Sequence, residues 1–271
     1  MTISQFTLNK GVYTMQFKVM TFNLRLNIES DGKNAWPYRV DSVGKYLRKE
    51  RPLILGTQEV LDGMLEDLVK HLPDYSYVGV TRRESEEATP IFYDRQQLDC
   101  KASGTFWLSK TPDIPDTVDF DSAFTRICTW AEFMVKTNRS IRFRVFNTHL
   151  DHVSRLAQIE GMKIIIQRMN EYNQKEYLPT ILMGDFNATF NDEVIQYLDH
   201  DAKINGNPLV SCFQERSRYG ATFHNYTGIE EGEPIDHIYM TQDFELIETK
   251  VDTDKPDEVY LSDHYPVICK V

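Results

Sequence analysis

Cysteine is scarce: the four present, Cys100, Cys128, Cys212 and Cys269, lie far apart, with no C-x-x-C pair among them. That argues against a disulfide scaffold or a thiolate zinc site and fits free thiols in a reducing compartment. No apolar run approaches the roughly 20 residues needed to cross a bilayer. The opening segment Met1 to Lys10 lacks a basic stretch followed by an apolar one, so no secretory signal is expected and the expected location is the cytoplasm. Positive charge is also in deficit. A net charge of −11 excludes a broad basic surface of the kind that grips nucleic acid by its backbone. It does not exclude a nuclease, because metal-binding carboxylates contribute to the same total. Proline-, serine- or glycine-rich linkers, low-complexity tracts and internal repeats are likewise missing.

What is present is an ordinary globular composition, 271 residues with 41% hydrophobic and 26% charged, enough for a sizeable core. The reading is one catalytic domain over residues 16–271, preceded by a short extension, 1–15, in which Met15 is an alternative start. Apolar runs at Phe17–Phe22, Leu53–Gly56 and Leu178–Met183 are buried strands, and Tyr75–Val80, Ile91–Tyr93, Thr105–Leu108, Thr129–Val135 and Ile141–Asn147 make the middle of the chain β-rich. Pro234–Met240, Glu245–Val251 and Pro266–Lys270 supply closing strands. Apolar residues recur at helical spacing over Tyr38–Arg51, Leu61–Leu72, Arg155–Met169 and Asp192–Leu198. Arg142 and Arg144 alternate with apolar neighbours, which predicts a solvated strand face. Strands interleaved with helices, with many direct strand-to-strand steps, predict packed sheets covered by helices.

The most informative residues are polar ones that end or interrupt apolar runs. Gly184-Asp185-Phe186-Asn187 places a carboxylate and a carboxamide at the end of a core strand, where each loses stability unless partnered. Asn23, Glu59, His149, Asp236 and the pair Asp263-His264 occupy comparable positions. Groups of this kind are seldom buried alone, so they are expected to converge on one another or on a metal. Oxygen donors without cysteine favour Mg²⁺ or Mn²⁺ over Zn²⁺. Histidines added to an oxygen-rich site suit phosphoryl chemistry, one acting on a water and another on the phosphorus oxygens. His152, His200 and His224 read as structural or surface residues, with His224 a candidate for lining a substrate cleft.

The ordered string Thr21-Phe22-Asn23, Gln58-Glu59, Asn147-Thr148-His149-Leu150-Asp151, Gly184-Asp185-Phe186-Asn187, Ile235-Asp236 and Ser262-Asp263-His264 resembles the endonuclease/exonuclease/phosphatase superfamily, the deoxyribonuclease I-like group. The resemblance spans about residues 16–271. It implies an α/β fold, a four-layer α/β/β/α sandwich of two packed mixed sheets flanked by helices, with the site at one edge of the sheets. It implies metal positions at Asn23, Glu59 and Asp263, and a water-directed His264 oriented by Asp236. Asp185 and Asn187 correspond to residues that position the nucleophile and bind the phosphoryl group, and His149 to the second histidine. Whether Asp185 or His264 takes the proton is left open. Closer similarity to deoxyribonuclease I adds Glu87 as a support for His149 and Arg126 as a phosphate-binding guanidinium.

The expected activity is Mg²⁺- or Mn²⁺-dependent phosphoester hydrolysis by an activated water, as phosphodiesterase, nuclease or phosphatase. An inactive binding module on the same fold is the alternative, disfavoured because every matched position keeps a competent side chain. The substrate partner is a phosphoester, either a small phosphorylated molecule or nucleic acid; Trp36, Tyr38, Trp107, Tyr219, Phe223 and Tyr226 are candidates to stack on a base or sugar. Oligomeric state has no signature in the sequence.

Overall fold

Strict alternation along Lys18–Asn23 sets the architecture. Met20 and Phe22 pack with Val43, Leu47, Met64 and Leu68 in a helix-facing core, whereas Val19 joins the larger core shared with Val145, Ile181 and Met183. A strand apolar on both faces must be covered on both. The computed structural model describes residues 6–9 and 12–271. One sheet runs, in spatial order, β15 (Glu248–Val251), β16 (Val267–Lys270), β3 (Lys18–Asn23), β4 (Ile54–Gln58), β6 (Ile91–Asp94) and β5 (Tyr75–Val78). The other runs β13 (Val210–Ser211), β14 (Asp236–Met240), β10 (Thr180–Asp185), β9 (Asn138–His149), β8 (Ile127–Val135) and β7 (Leu98–Trp107). Helices α1 (Trp36–Glu50) and α2 (Asp62–His71) cover the first sheet, while α3 (Arg155–Lys175) and α4 (Glu193–His200) cover the second. The expected four-layer α/β/β/α sandwich is the observed one.

Within the N-terminal stretch read as an extension, β1 (Phe6–Asn9) pairs antiparallel with β2 (Val12–Met15) and joins neither large sheet; residues 1–5, 10 and 11 lie outside the described residues. A second small pair, β11 (Lys203–Ile204) with β12 (Asn207–Pro208), follows α4.

Two parallel pairs sit at the centre of the sheets, and they decide where chemistry is mounted. β3 lies parallel to β4 with α1 as the crossover, and β9 lies parallel to β10 with α3 as the crossover. Every other pairing in the two large sheets is antiparallel. The carboxyl ends of parallel strands form the crevice where α/β proteins bind ligands. Here those ends carry Asn23, Gln58, His149 and Asp185.

Two of the closely approached glycines lie on these parallel strands. A Cβ on Gly56 would stand 2.5 Å from Met183 Cε and 2.8 Å from Asn147 Cγ, so its absence lets Asn147 reach across between the sheets. There, Asn147 Oδ1 accepts from Gln58 Nε2 at 2.7 Å, and its Nδ2 stands 2.9–3.2 Å from the carbonyls of Thr57, Thr89 and Pro90. Gly184 has φ +151°, and a Cβ there would fall 2.0 Å from the Thr148 carbonyl oxygen on the neighbouring strand.

Several boundaries and placements differ from the sequence reading. The third helix continues beyond Met169 to Lys175. Tyr172 packs on Trp130 at 4.3 Å between ring centroids, and Asn173 accepts from Arg144, so tertiary contacts carry the helix past its apolar stripe. The first helix starts two residues early and stops at Glu50, where Arg51 turns left-handed (φ 47°) ahead of Pro52. The solvated face expected for Arg142 and Arg144 holds only in part. Arg144 is buried, donating to Asn173 Oδ1, the Glu176 carbonyl and Glu132, because the end of α3 roofs it; Arg142 stays partly open and pairs with Glu132 and Glu176. All four cysteines are free.

Gly184→Ala is therefore expected to lower unfolding free energy by about 3 kcal/mol, since it adds backbone overlap to a φ that alanine resists. Urea denaturation measures this; a variant as stable as the parent would mean that β9 and β10 are not in the register described.

Candidate active site

The antiparallel neighbours bring the remaining polar residues to the edge already defined by the parallel strands. Asp236, at the start of β14, is the register partner of Asp185 at the end of β10. Asp263 and His264 precede β16, which runs antiparallel to β3, and Glu87 sits beside the Val60–Ala88 bridge that extends β4. Arg126 precedes β8, the antiparallel partner of β9.

Side-chain contacts then converge on one oxygen. Asp185 Oδ2 accepts from Asn23 Nδ2 at 2.9 Å and lies 3.5 Å from His149 Nε2 and 3.8 Å from His264 Nε2. Its other oxygen accepts from the Asn187 backbone N–H at 2.9 Å. Asp236 Oδ2 holds His264 Nδ1 at 2.8 Å, which aims His264 Nε2 at the same centre. Asn23 Nδ2 also donates to Glu59 Oε1 at 2.9 Å, and the Leu26 N–H donates to Glu59 Oε2 at 3.0 Å. Glu59 takes a left-handed backbone conformation (φ 60°) while only 9% exposed. A non-glycine residue in that region costs about 1–3 kcal/mol, so the surrounding fold holds its carboxylate in place against that preference.

The other expected residues lie around this centre. Asp263 Oδ1 accepts from Ser262 Oγ at 3.2 Å, and its Oδ2 stands 3.7 Å from Arg25 Nε. Glu87 Oε2 lies 3.8 Å from His149 Nδ1, and that buried ring nitrogen makes no hydrogen bond. Asn187 commits its Nδ2 to the Leu150 carbonyl at 3.1 Å. Arg126 is buried in the field of the Glu87, Asp151 and Asp185 carboxylates. It lies 3.6 Å from Asp151 and 3.2 Å from His152 Nδ1, over the Phe124 ring, with a buried Nε that has no partner.

Opposed environments set the charges. Burial alone would lower the His264 imidazole, but the carboxylates of Asp236, Asp185 and Asp263 outweigh it and raise its pKa to about 10. His149 is held well below the usual imidazole range by burial, with the Arg126 guanidinium adding to the effect. Asp185 is pushed well above the ordinary carboxylate range by burial and then by Asp236. Asp263 is raised by burial with help from Glu59, and Glu87 is raised by burial against the pull of Arg82.

This acidic surplus is what a divalent cation would relieve, and the donor set of carboxylate and amide oxygens suits a hard one. Asp185, Asp236 and His264 offer ligand atoms within 4.8 Å of one another. The buried Asp236 Oδ1 has no partner of its own.

Some residues escaped the sequence reading. Arg25 salt-bridges Asp31 at 2.9 Å and faces Asp263 and Glu59. Arg39, fully buried on α1, donates to the backbone carbonyls of Asn34, Leu24, Leu261 and Arg25 at 2.5–3.0 Å. It ties the segment after Asn23 to the segment before Asp263. An arginine inside an otherwise amphipathic helix was the one available signal. Of the aromatics, Trp36 and Trp107 go to the core, Tyr38 and Phe223 are exposed, and the Phe223 ring stands 5.1 Å from that of His264. His224 is buried and stacked on Tyr265.

Residues 20–264 match the model of the Endonuclease/Exonuclease/phosphatase family. The chain belongs to that family. Members of the endonuclease/exonuclease/phosphatase family are phosphoester hydrolases, and their fold is the deoxyribonuclease I-like one described above. An endonuclease/exonuclease/phosphatase from Bacteroides vulgatus is 29% identical, with a TM-score of 0.87 covering 95% of this chain and 98% of its own. A Bacteroides thetaiotaomicron mannosyl-6-phosphatase is 30% identical, with a TM-score of 0.85 covering 94% and 99%. D. rerio TDP2, solved with a single-strand DNA product, shares the family fold at 16% identity, with a TM-score of 0.71 covering 94% and 98%. No curated protein matches the sequence significantly.

The His264–Asp236 pair gives a pH signature in metal-free protein. Because His264 is raised in the folded state, its contribution to stability is complete below about pH 6.5 and is lost as pH rises through about 10. Asp236→Asn is expected to bring the His264 ring titration, followed by NMR, down by at least two pH units. A ring still titrating near the parent value would show that Asp236 is not what holds the proton.

Proposed function

We propose that this protein is a metal-dependent phosphomonoesterase acting on a small phosphorylated sugar. The observation that carries the reading is the convergence of Asn23, His149 and His264 on Asp185 Oδ2, with Asp236 fixing the ring of His264. A tetrahedral phosphoryl group placed there meets imidazoles on two sides and a carboxylate positioned to hold a water. Support for the sugar comes from the similarity to the mannosyl-6-phosphatase and from a net charge of −11, which is poorly suited to a polyanion.

In this scheme Glu59, Asp263 and Asn23 would hold the cation, since Asp236 and His264 are already engaged with each other. A bound Mg²⁺ or Mn²⁺ supplies charge neutralisation at the phosphoryl oxygens. The protein's own groups do the rest. Asp185, anchored by the Asn187 N–H, orients the attacking water and accepts its proton. His264 donates from Nε2 to a phosphoryl oxygen, with Asp236 keeping Nδ1 protonated. His149, backed by Glu87 and 3.5 Å from Asp185 Oδ2, hydrogen-bonds a phosphoryl oxygen, while the ester bond to the sugar oxygen breaks and that oxygen takes a proton from solvent water. Arg126 helps to hold the phosphate.

Chelation by EDTA is expected to abolish phosphate release, and Mg²⁺ or Mn²⁺ to restore it; activity that survives exhaustive chelation would remove the cation from the scheme. Asp185→Asn and His264→Ala are each expected to lower kcat by about a thousandfold or more with the fold retained. The deciding assay sets hexose 6-phosphates, nucleotides, inositol phosphates and single-stranded oligonucleotides side by side. Preferential cleavage of the oligonucleotide would replace the sugar reading with a nuclease.

A further inference from the structure

A cavity of about 870 Å³ opens beside the catalytic edge, between the short helical turns at Glu29–Asn34, the start of α1, and the segments carrying Tyr226 and Tyr260. It adjoins the reaction centre through its walls. The segment that supplies Tyr226 begins at Phe223, whose ring packs on His264, and the N–H groups of His224 and Asn225 both donate to the Asp263 carbonyl. Tyr226 OH in turn donates to the Asn34 carbonyl at 3.4 Å, and the Tyr226 hydroxyl is raised by burial in a setting that includes the charges of Asp263 and Arg25. Asn27, on the opposite wall, is four residues beyond Asn23.

The lining chemistry selects among ligands. Of the three tyrosines in the lining, Tyr226 and Tyr260 carry cations over their rings, Arg39 at 5.9 Å and Lys255 at 4.0 Å, whereas Tyr38 is 70% exposed with its faces open. Among the described lining residues the charges balance, Lys33 and Lys255 against Glu29 and Glu258. A balanced wall gives no surplus positive field for a second phosphate or a nucleic-acid backbone. It does offer both donors and acceptors, with the amides of Asn27 and Asn34 among them. Aromatic faces together with paired hydrogen-bonding groups and no net charge match a polyhydroxylated ring, whose C–H face stacks while its hydroxyls bond at the rim. The volume lies near the top of the roughly 300–1,000 Å³ range of ligand sites, more than a single hexose would fill.

Resting on the sugar-phosphate reading above, we infer that this cavity is a saccharide subsite for the part of the substrate beyond the phosphorylated hexose, making the preferred substrate a phosphorylated disaccharide or longer glycan. Tyr38 is its stacking platform. Being exposed and making no side-chain hydrogen bond to the buried carboxylates, Tyr38 can be changed without disturbing them.

The experiment compares phosphate release from a hexose 6-phosphate and from a disaccharide phosphorylated at the 6-position of its terminal hexose, for the parent protein, Tyr38→Ala and Tyr38→Phe, with thermal melts confirming the fold. The parent is expected to favour the disaccharide at least tenfold in kcat/KM. Tyr38→Ala is expected to lose most of that preference through KM while its rate on the hexose phosphate is unchanged, and Tyr38→Phe to keep the preference. Equal kcat/KM on the two substrates in the parent, or an equal loss on both in Tyr38→Ala, would overturn the subsite and leave the phosphomonoesterase standing. No release from either sugar with cleavage of an oligonucleotide would overturn both.

Discussion

The site depends on a buried amide, Asn147, that locks one sheet to the other. Asn147, on β9, accepts from Gln58 of β4 and reaches the carbonyls of Thr57, Thr89 and Pro90, in space left open by Gly56. Apolar packing between two sheets is non-directional and tolerates sliding. A hydrogen-bonded amide in a dry interface does not, because each unmade bond there costs about 1–3 kcal/mol. Gln58 immediately precedes Glu59, and His149 is two residues beyond Asn147. The contact that locks the sheets thus lies next to Glu59 and two residues from His149 in sequence, and strand register sets Asn23 beside Gln58 and Asp185 beside His149.

Topology does the remaining placement. Residues at the ends of β3, β4, β9 and β10 share an edge because those strands are the parallel ones, and residues at the starts of β14, β8 and β16 join them because those strands are antiparallel to their neighbours. The chain therefore brings together Asn23, Glu59, Asp185, Asp236 and His264 from segments more than two hundred residues apart without any long excursion. Both rings are buried: around His264 the carboxylates outweigh burial and raise it, whereas burial, with the Arg126 guanidinium adding to it, keeps His149 lowered.

Much of this was legible beforehand for one physical reason: a polar side chain that interrupts a buried strand needs a partner, and its position along the strand is visible in the apolar run it breaks. Gly184-Asp185-Phe186-Asn187 and Ser262-Asp263-His264 carried that signal. What was not legible is whatever depends on a distant roof or partner. Arg144 alternates as a solvated strand residue would, yet α3 covers it; the same helix outruns its apolar stripe because Trp130, far back in the chain, waits for Tyr172. Trp36 and Trp107, candidates to stack on a base or sugar, are core residues. Arg25 and Arg39 act through partners that no spacing pattern indicates.

Arg39 has a mechanical consequence. One rigid, planar group holds Asn34 in the cavity wall, Leu24 and Arg25 after Asn23, and Leu261 before Asp263. Four backbone points hinged on a single guanidinium cannot be displaced separately. Moving any one of the four costs a bond on the same guanidinium, so the cavity wall and the segments flanking Asn23 and Asp263 are held to one anchor.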